Sequence, residues 1–155
     1  MKEQLEQVAE FHRLRDIDYK EKVSVPCLCK RLIRNAASKL ATLADDLENS
    51  LDSYGELYVK ALRLHLICEE VNELALALMD SDEVAAADAL ADLLYVTLGS
   101  AVAFSIPIDL VFAEVHRSNM TKGSGSKDDP RLRDKGESYE PPQIEAILRA
   151  HGVVK

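Results

Sequence analysis

Apolar residues along the chain recur mostly every three or four positions, the spacing of one helical face, and rarely alternate as a half-buried strand requires. Over residues 2–14, Leu5, Val8, Phe11 and His12 fall near one face and predict a short amphipathic helix. Residues 16–26 lose the period and end at Pro26, which marks a connector. A second helix is expected over about 27–47, broken at Asn49 and Ser50, with Ser50 or Asp52 able to cap the next helix. The third, about 54–79, carries the clearest stripe: Leu57, Ala61, Leu64, Cys68, Val71, Ala75 and Leu78. Ser81 is the expected N-cap of a fourth helix over about 82–105; Pro107 then interrupts, and 108–120 reads as a fifth. From Thr121 the run KGSGSKDDPRLRDKGESYEPP predicts a mobile surface loop over about 121–142, and a short helix over 143–150 closes the chain. The expected fold is all-α, a single domain over 1–155: a bundle of about four to five helices with its core at about 54–120 and the fourth helix central.

Composition agrees with that pattern. The chain has 155 residues, 47% hydrophobic and 30% charged, and only 5% aromatic, a balance that favours helices over a sheet. The net charge of −8 argues against general binding to nucleic acid or to an anionic membrane, both of which need a basic footprint. It leaves room for a small anionic substrate, since divalent metals neutralise an acidic pocket and then attract phosphate. Cys27, Cys29 and Cys68 make no zinc-type array and read as free thiols of a reducing, cytoplasmic compartment. The start, MKEQLEQVAEFHR, has no apolar signal core, and the apolar run 93–108 is short for a bilayer span, so no membrane partner is expected.

Two segments carry candidate chemistry. In HLICEEVNEL, Glu73 shares a helix face with both Glu69 and Glu70, and that face is otherwise lined by Leu62, Leu66 and Ala77. In ADALADLLYVTLGSAVAF the helix is apolar nearly all round, as for a helix surrounded by others, yet it holds Asp92, with Asp88 one turn earlier on the same side. An unpaired carboxylate in such surroundings costs several kcal/mol or titrates to its neutral form. The economical expectation is that Glu69, Glu70, Glu73 and Asp92 face one another across two packed helices and share divalent cations. Carboxylates with no His or Cys beside them are hard oxygen ligands, suited to Mg²⁺, with Mn²⁺ as a substitute. Such a site is equipped for phosphoanhydride hydrolysis, with a spare Glu to take a proton from water. The competing reading of Glu69–Glu73 is a solvated helix face, and of Asp88 a surface residue near a helix start.

CEEVNEL followed by DALADLLYVTLGSAVAFSIPIDLVFAEVHRSNMTK resembles the MazG-like all-α nucleoside triphosphate pyrophosphohydrolases. The resemblance points to their phosphoribosyl-ATP pyrophosphohydrolase-like branch, which includes dUTP-cleaving members. It is strong over about 57–142 and gives residues 27–50 no detailed counterpart. It implies Glu70 and Glu73 as the metal ligands of an ExxE helix and Asp92 as the aspartate of the second helix. Glu69 would serve a further metal or the attacking water. Asn119 and Lys122 of HRSNMTK match positions near metals and phosphates, and Lys135 and Tyr139 of KGESYEPP match a loop that covers substrate. Relatives often carry Glu three residues before the aspartate, where this chain has Ala89; Asp88 is the expected substitute ligand.

The resulting expectation is a Mg²⁺-dependent, cytoplasmic enzyme cleaving a nucleoside triphosphate, dUTP among the candidates, to the monophosphate and pyrophosphate. It would work as a homo-oligomer, a dimer before a tetramer. Two alternatives stand beside it: phosphoribosyl-ATP as substrate, or a helical interaction module that has lost catalysis along with the Glu at Ala89. Away from the acidic helices, His12 reads as a packing residue, and His116 and Arg117 as partners for the dipole at the end of the fifth helix.

Overall fold

Helical periodicity is realised throughout the computed structural model, which describes residues 1–13, 27–51, 55–123 and 136–155, the side chains of 27–30 and 56 excepted. Six α-helices and no strand are present among the described residues: α1 (Lys2–Arg13), α2 (Cys27–Asn49), α3 (Tyr58–Asp80), α4 (Glu83–Ala103), α5 (Ile108–Met120) and α6 (Ile144–Ala150). A 3₁₀ turn, Gly55–Leu57, leads into α3. The expected connector at 16–26 and most of the expected loop at 121–142 lie outside the described residues. The helices fall into two compact units, one built from α2, α3 and α4 and the other from α1, α5 and α6.

In the first unit α2 packs on α3 and α3 on α4. The side chains that close these contacts are mostly small: Ala37 and Ala44 of α2, Ala61, Cys68 and Ala77 of α3, Ala89 and Ala101 of α4 are all buried. Small residues let helix axes approach closely. Gly99 of α4 leaves room for the Arg63 side chain of α3: a Cβ there would stand 3.1 Å from its Nη1.

The turn between α3 and α4 differs from its sequence-based expectation. Ser81 does not cap α4. It ends α3 in a left-handed conformation (φ 59°), and the Asp82 N–H returns to the Ala77 carbonyl at 3.0 Å, as in a Schellman closure. Asp82 is the N-cap: its Oδ1 accepts from the N–H groups of Val84 (3.1 Å) and Ala85 (3.0 Å). At the start of α3 no side chain caps the helix; its N-cap position is Leu57. The tight turn makes α3 and α4 an antiparallel pair, so residues near Glu70 on one helix come level with residues near Asp92 on the other.

α4 is also not enclosed as its composition predicts. Only Ala89 and Ala101 are buried, while Val84 (82% exposed), Tyr95 (79%) and Val102 (80%) stand in solvent. The reason is that this unit supplies α4 with one neighbouring helix, α3. By length and composition α4 is long and apolar enough to cross a membrane.

In the second unit α5 packs against α1 and α6, and His116 of α5 approaches Glu10 of α1 at 4.0 Å.

Candidate functional site

The five acidic residues singled out by sequence all lie in the first unit. Glu69, Glu70 and Glu73 occupy adjacent turns of α3, and Asp88 and Asp92 one turn of α4. Glu69 and Glu70 are half-buried; Glu73, Asp88 and Asp92 are exposed. Asp92 is therefore not the buried mid-helix charge that its apolar neighbours predict. It sits on the open side of α4, whereas Ala89, where relatives often carry a further carboxylate, is buried at 3% and packs.

These residues share one electrostatic environment. The Glu70 carboxyl is pushed above the usual glutamate range, first by burial and then by the negative charges of Glu73, Asp92, Glu69 and Asp88. Repulsion from both helices reaches one group. Among the described residues, no three His, Cys, Asp or Glu side chains are gathered tightly enough to hold a metal ion as they stand. The donor set fits Mg²⁺ all the same: it is all oxygen, and its mutual repulsion is what a divalent charge relieves.

Sequence reasoning missed His65. The cluster was expected to have no histidine beside it, but His65 lies one turn before Glu69 and its Nε2 stands 3.1 Å from Glu69 Oε2. The ring is buried, and its Nδ1 donates to the Ala44 carbonyl of α2 at 3.0 Å. The signal in the sequence was the four-residue spacing of HLICE, which puts the two side chains on one face. Cys68 is buried next to it; burial pushes its thiol up, so it packs rather than reacts.

An apolar groove of about 410 Å³ lies between the same two helices, bordered by Lys60, Arg63, Leu64 and Ile67 of α3 and by Ser100 and Phe104. Ile67 is one helical turn from Glu70.

The remaining candidates belong to the second unit or lie outside the description. Asn119 and Lys122 meet each other, Nζ donating to Oδ1 at 2.7 Å. Tyr139 is half-buried, its N–H bonded to the Gly136 carbonyl at 2.9 Å. Lys135 lies outside the described residues. Arg117 does more than face a helix dipole. It donates from Nε and Nη2 to both oxygens of Glu114 (2.9 and 2.8 Å) and from Nη1 to Glu140 (2.6 Å). Glu114 also accepts from the Gln143 N–H at 2.8 Å, and buried Ser118 donates to the Glu140 carbonyl at 2.8 Å. Together these bonds strap the segment before α6 onto α5. The Glu114 carboxyl is held down to about 2 by its bonds to Arg117 and to the Gln143 N–H, and the Arg117 guanidinium is stabilised in its charged form.

Residues 41–119 match the family model described as phosphoribosyl-ATP pyrophosphohydrolase. The match runs from within α2 to near the end of α5, so it takes in all five carboxylates, His65, Ala44 and Asn119. It also gives the last part of α2 a place in the family, which the resemblance seen in the sequence did not. Lys122, Lys135 and Tyr139 fall beyond it. No curated protein and no solved structure matches the chain.

Proposed function

The chain belongs to the phosphoribosyl-ATP pyrophosphohydrolase family, within the MazG-like all-α nucleoside triphosphate pyrophosphohydrolases, and from that premise we propose that it uses Mg²⁺ to cleave a nucleoside triphosphate between the α and β phosphates. What supports the metal and the site is the antiparallel pairing of α3 and α4, which brings Glu70 and Glu73 level with Asp88 and Asp92; burial and these neighbours push the Glu70 carboxyl up. Glu70, Glu73 and Asp92 are the residues to hold Mg²⁺, with Asp88 beside Asp92 where Ala89 offers no carboxylate. Bound Mg²⁺ supplies charge neutralisation and Lewis acidity at phosphate oxygens. Glu69 accepts a proton from the attacking water, which delivers oxygen to the α phosphorus; the α–β bond breaks, leaving the monophosphate and pyrophosphate. The groove bordered by Lys60, Arg63 and Phe104 has the volume for part of a nucleoside. Asn119, Lys122, Lys135 and Tyr139 are the proposed further contacts to substrate, and a cytoplasmic location is part of the same proposal.

The same proposal includes a homo-oligomer, a dimer first and a tetramer second. Val84, Ala91, Tyr95 and Val102 follow one another in steps of seven, four and seven residues, which keeps them on one face of α4, and all four are exposed. A second copy suits that stripe better than lipid, because Asp88 and Asp92 flank it and an aspartate at the centre of a bilayer span costs about 3 kcal/mol.

A second reading, phosphoribosyl-ATP as the substrate, is favoured by the description of the matching family. One panel separates the two. Pyrophosphate release is measured with Mg²⁺ on ribo- and deoxyribonucleoside triphosphates and on phosphoribosyl-ATP. Turnover of a triphosphate supports the first reading and turnover of phosphoribosyl-ATP alone the second. No turnover on either, with Mg²⁺ leaving Tm unchanged, would sink both and leave a helical module that has lost catalysis.

A further inference from the structure

His65 is one of two polar residues buried among the described residues, only 6% exposed, and it is placed between a helix that bears no carboxylate of the cluster and one that bears three. Burying an imidazole costs free energy unless its nitrogens are satisfied. Both are. A carbonyl oxygen only accepts, so Nδ1 carries the proton donated to Ala44, and that bond fixes the ring's tilt against α2. Nε2 stands 3.1 Å from Glu69 Oε2, so the ring links the α2 backbone to that carboxylate. Glu69 is thereby pinned through one oxygen. A glutamate on a half-exposed helix face otherwise samples several rotamers, and ordering it costs side-chain entropy.

We propose that His65 is a positioning residue for Glu69: anchored to the Ala44 carbonyl, it holds Oε2 and leaves Oε1 presented toward the reaction. The proposal rests on the hydrolase reading above, in which Glu69 is the base. His65 touches neither substrate nor metal in that role; it acts through Glu69. It also explains why a buried histidine stands one turn from an acidic cluster, at a place where an apolar residue would pack without any hydrogen bond to satisfy.

Two substitutions separate positioning from packing. In His65→Gln the side-chain amide reaches the place of Nε2 and can still donate to Glu69. In His65→Asn the amide reaches the place of Nδ1 and keeps only the anchor to Ala44. Steady-state kinetics with Mg²⁺ and melting curves are recorded for wild type, both variants, Glu69→Gln and the His65→Asn/Glu69→Gln double variant. The expected result is a fall in kcat of roughly 10–100-fold for His65→Asn at unchanged KM, with His65→Gln recovering most of it at a similar Tm. In the Glu69→Gln background His65→Asn should then cost nothing further. Equal kcat in wild type and His65→Asn, or losses in both variants that merely follow Tm, would overturn the positioning role and leave the hydrolase reading intact. An inactive wild type would overturn the hydrolase reading itself. In that event, or if neither His65 variant folds, imidazole ¹⁵N spectra of wild type and Glu69→Gln decide: an Nε2 signal that moves alone supports the contact, and one that stays still overturns it.

Discussion

Two groups of carboxylates in this molecule are nearly alike in composition and opposite in behaviour. On α5 and the segment before α6, Glu114 and Glu140 meet the Arg117 guanidinium, and Glu114 takes a backbone N–H as well, so its carboxyl is held down to about 2. On α3 and α4, the Glu70 carboxyl is pushed up, first by burial and then by the negative charges of four further carboxylates. Neither is deeply buried. The difference is compensation. The first group is complete as built and serves structure. In the second, no Lys or Arg forms an ion pair with the cluster among the described residues and His65 meets Glu69 alone, while packing of small residues holds α3 and α4 together. An uncompensated charge cluster that a fold maintains is a place for a ligand to supply the missing charge.

The comparison is broken most forcefully at Glu69. Glu69→Gln keeps the shape and a hydrogen bond to His65 while removing the proton acceptor. A loss of roughly 10²–10⁴-fold in kcat is expected, read from pyrophosphate release, with Tm little changed. Glu114→Gln, a substitution of the same kind in the compensated group, should leave kcat near wild type.

Arg117→Ala reverses the picture. It releases Glu114 and Glu140 together, so Tm should fall by a few degrees and the Gln143 amide should lose protection from hydrogen exchange, with Mg²⁺ affinity unaffected. Acid should act through the same group. A carboxyl held below its unfolded value stabilises the fold above that value and loses the contribution as protons bind. For Glu114 the loss falls between its ordinary value of 4.5 and about 2. Exchange protection at Gln143 should therefore fade across that window in wild type, and Arg117→Ala should flatten the dependence. The smallest expected effect is at Glu70. Glu70→Gln removes one repelling charge, so without metal the Tm should rise by about 2 °C, equivalent to less than about 1 kcal/mol for a domain of this size.

The sequence carried the helices well because their signal is local: the bounds of α1, α2 and α5 follow from apolar period, Asn49 and Pro107 to within about two residues. The Ser81–Asp82 turn was harder, since both residues are good N-caps and only the left-handed backbone at Ser81 decides between them. Apolarity around Asp92 predicted an enclosed α4, but within one chain that helix packs on α3 alone in its unit and Asp92 is exposed. The juxtaposition of the Glu69–Glu73 and Asp88–Asp92 segments was legible because a short turn forces an antiparallel pair. His65 was legible in principle from its spacing to Glu69, but its bond to Ala44 joins residues far apart in the chain, as does the bond from Arg117 to Glu140. No local pattern encodes such pairings.

Calorimetric titration of Mg²⁺, repeated with Mn²⁺, into wild type, Asp92→Asn and Glu114→Gln tests the central claim most directly. If the cluster on α3 and α4 is the cation site, wild type and Glu114→Gln bind alike and Asp92→Asn binds at least about 10-fold more weakly, a difference of about 1.4 kcal/mol. Binding that is absent from wild type, or equal in Asp92→Asn, would contradict it.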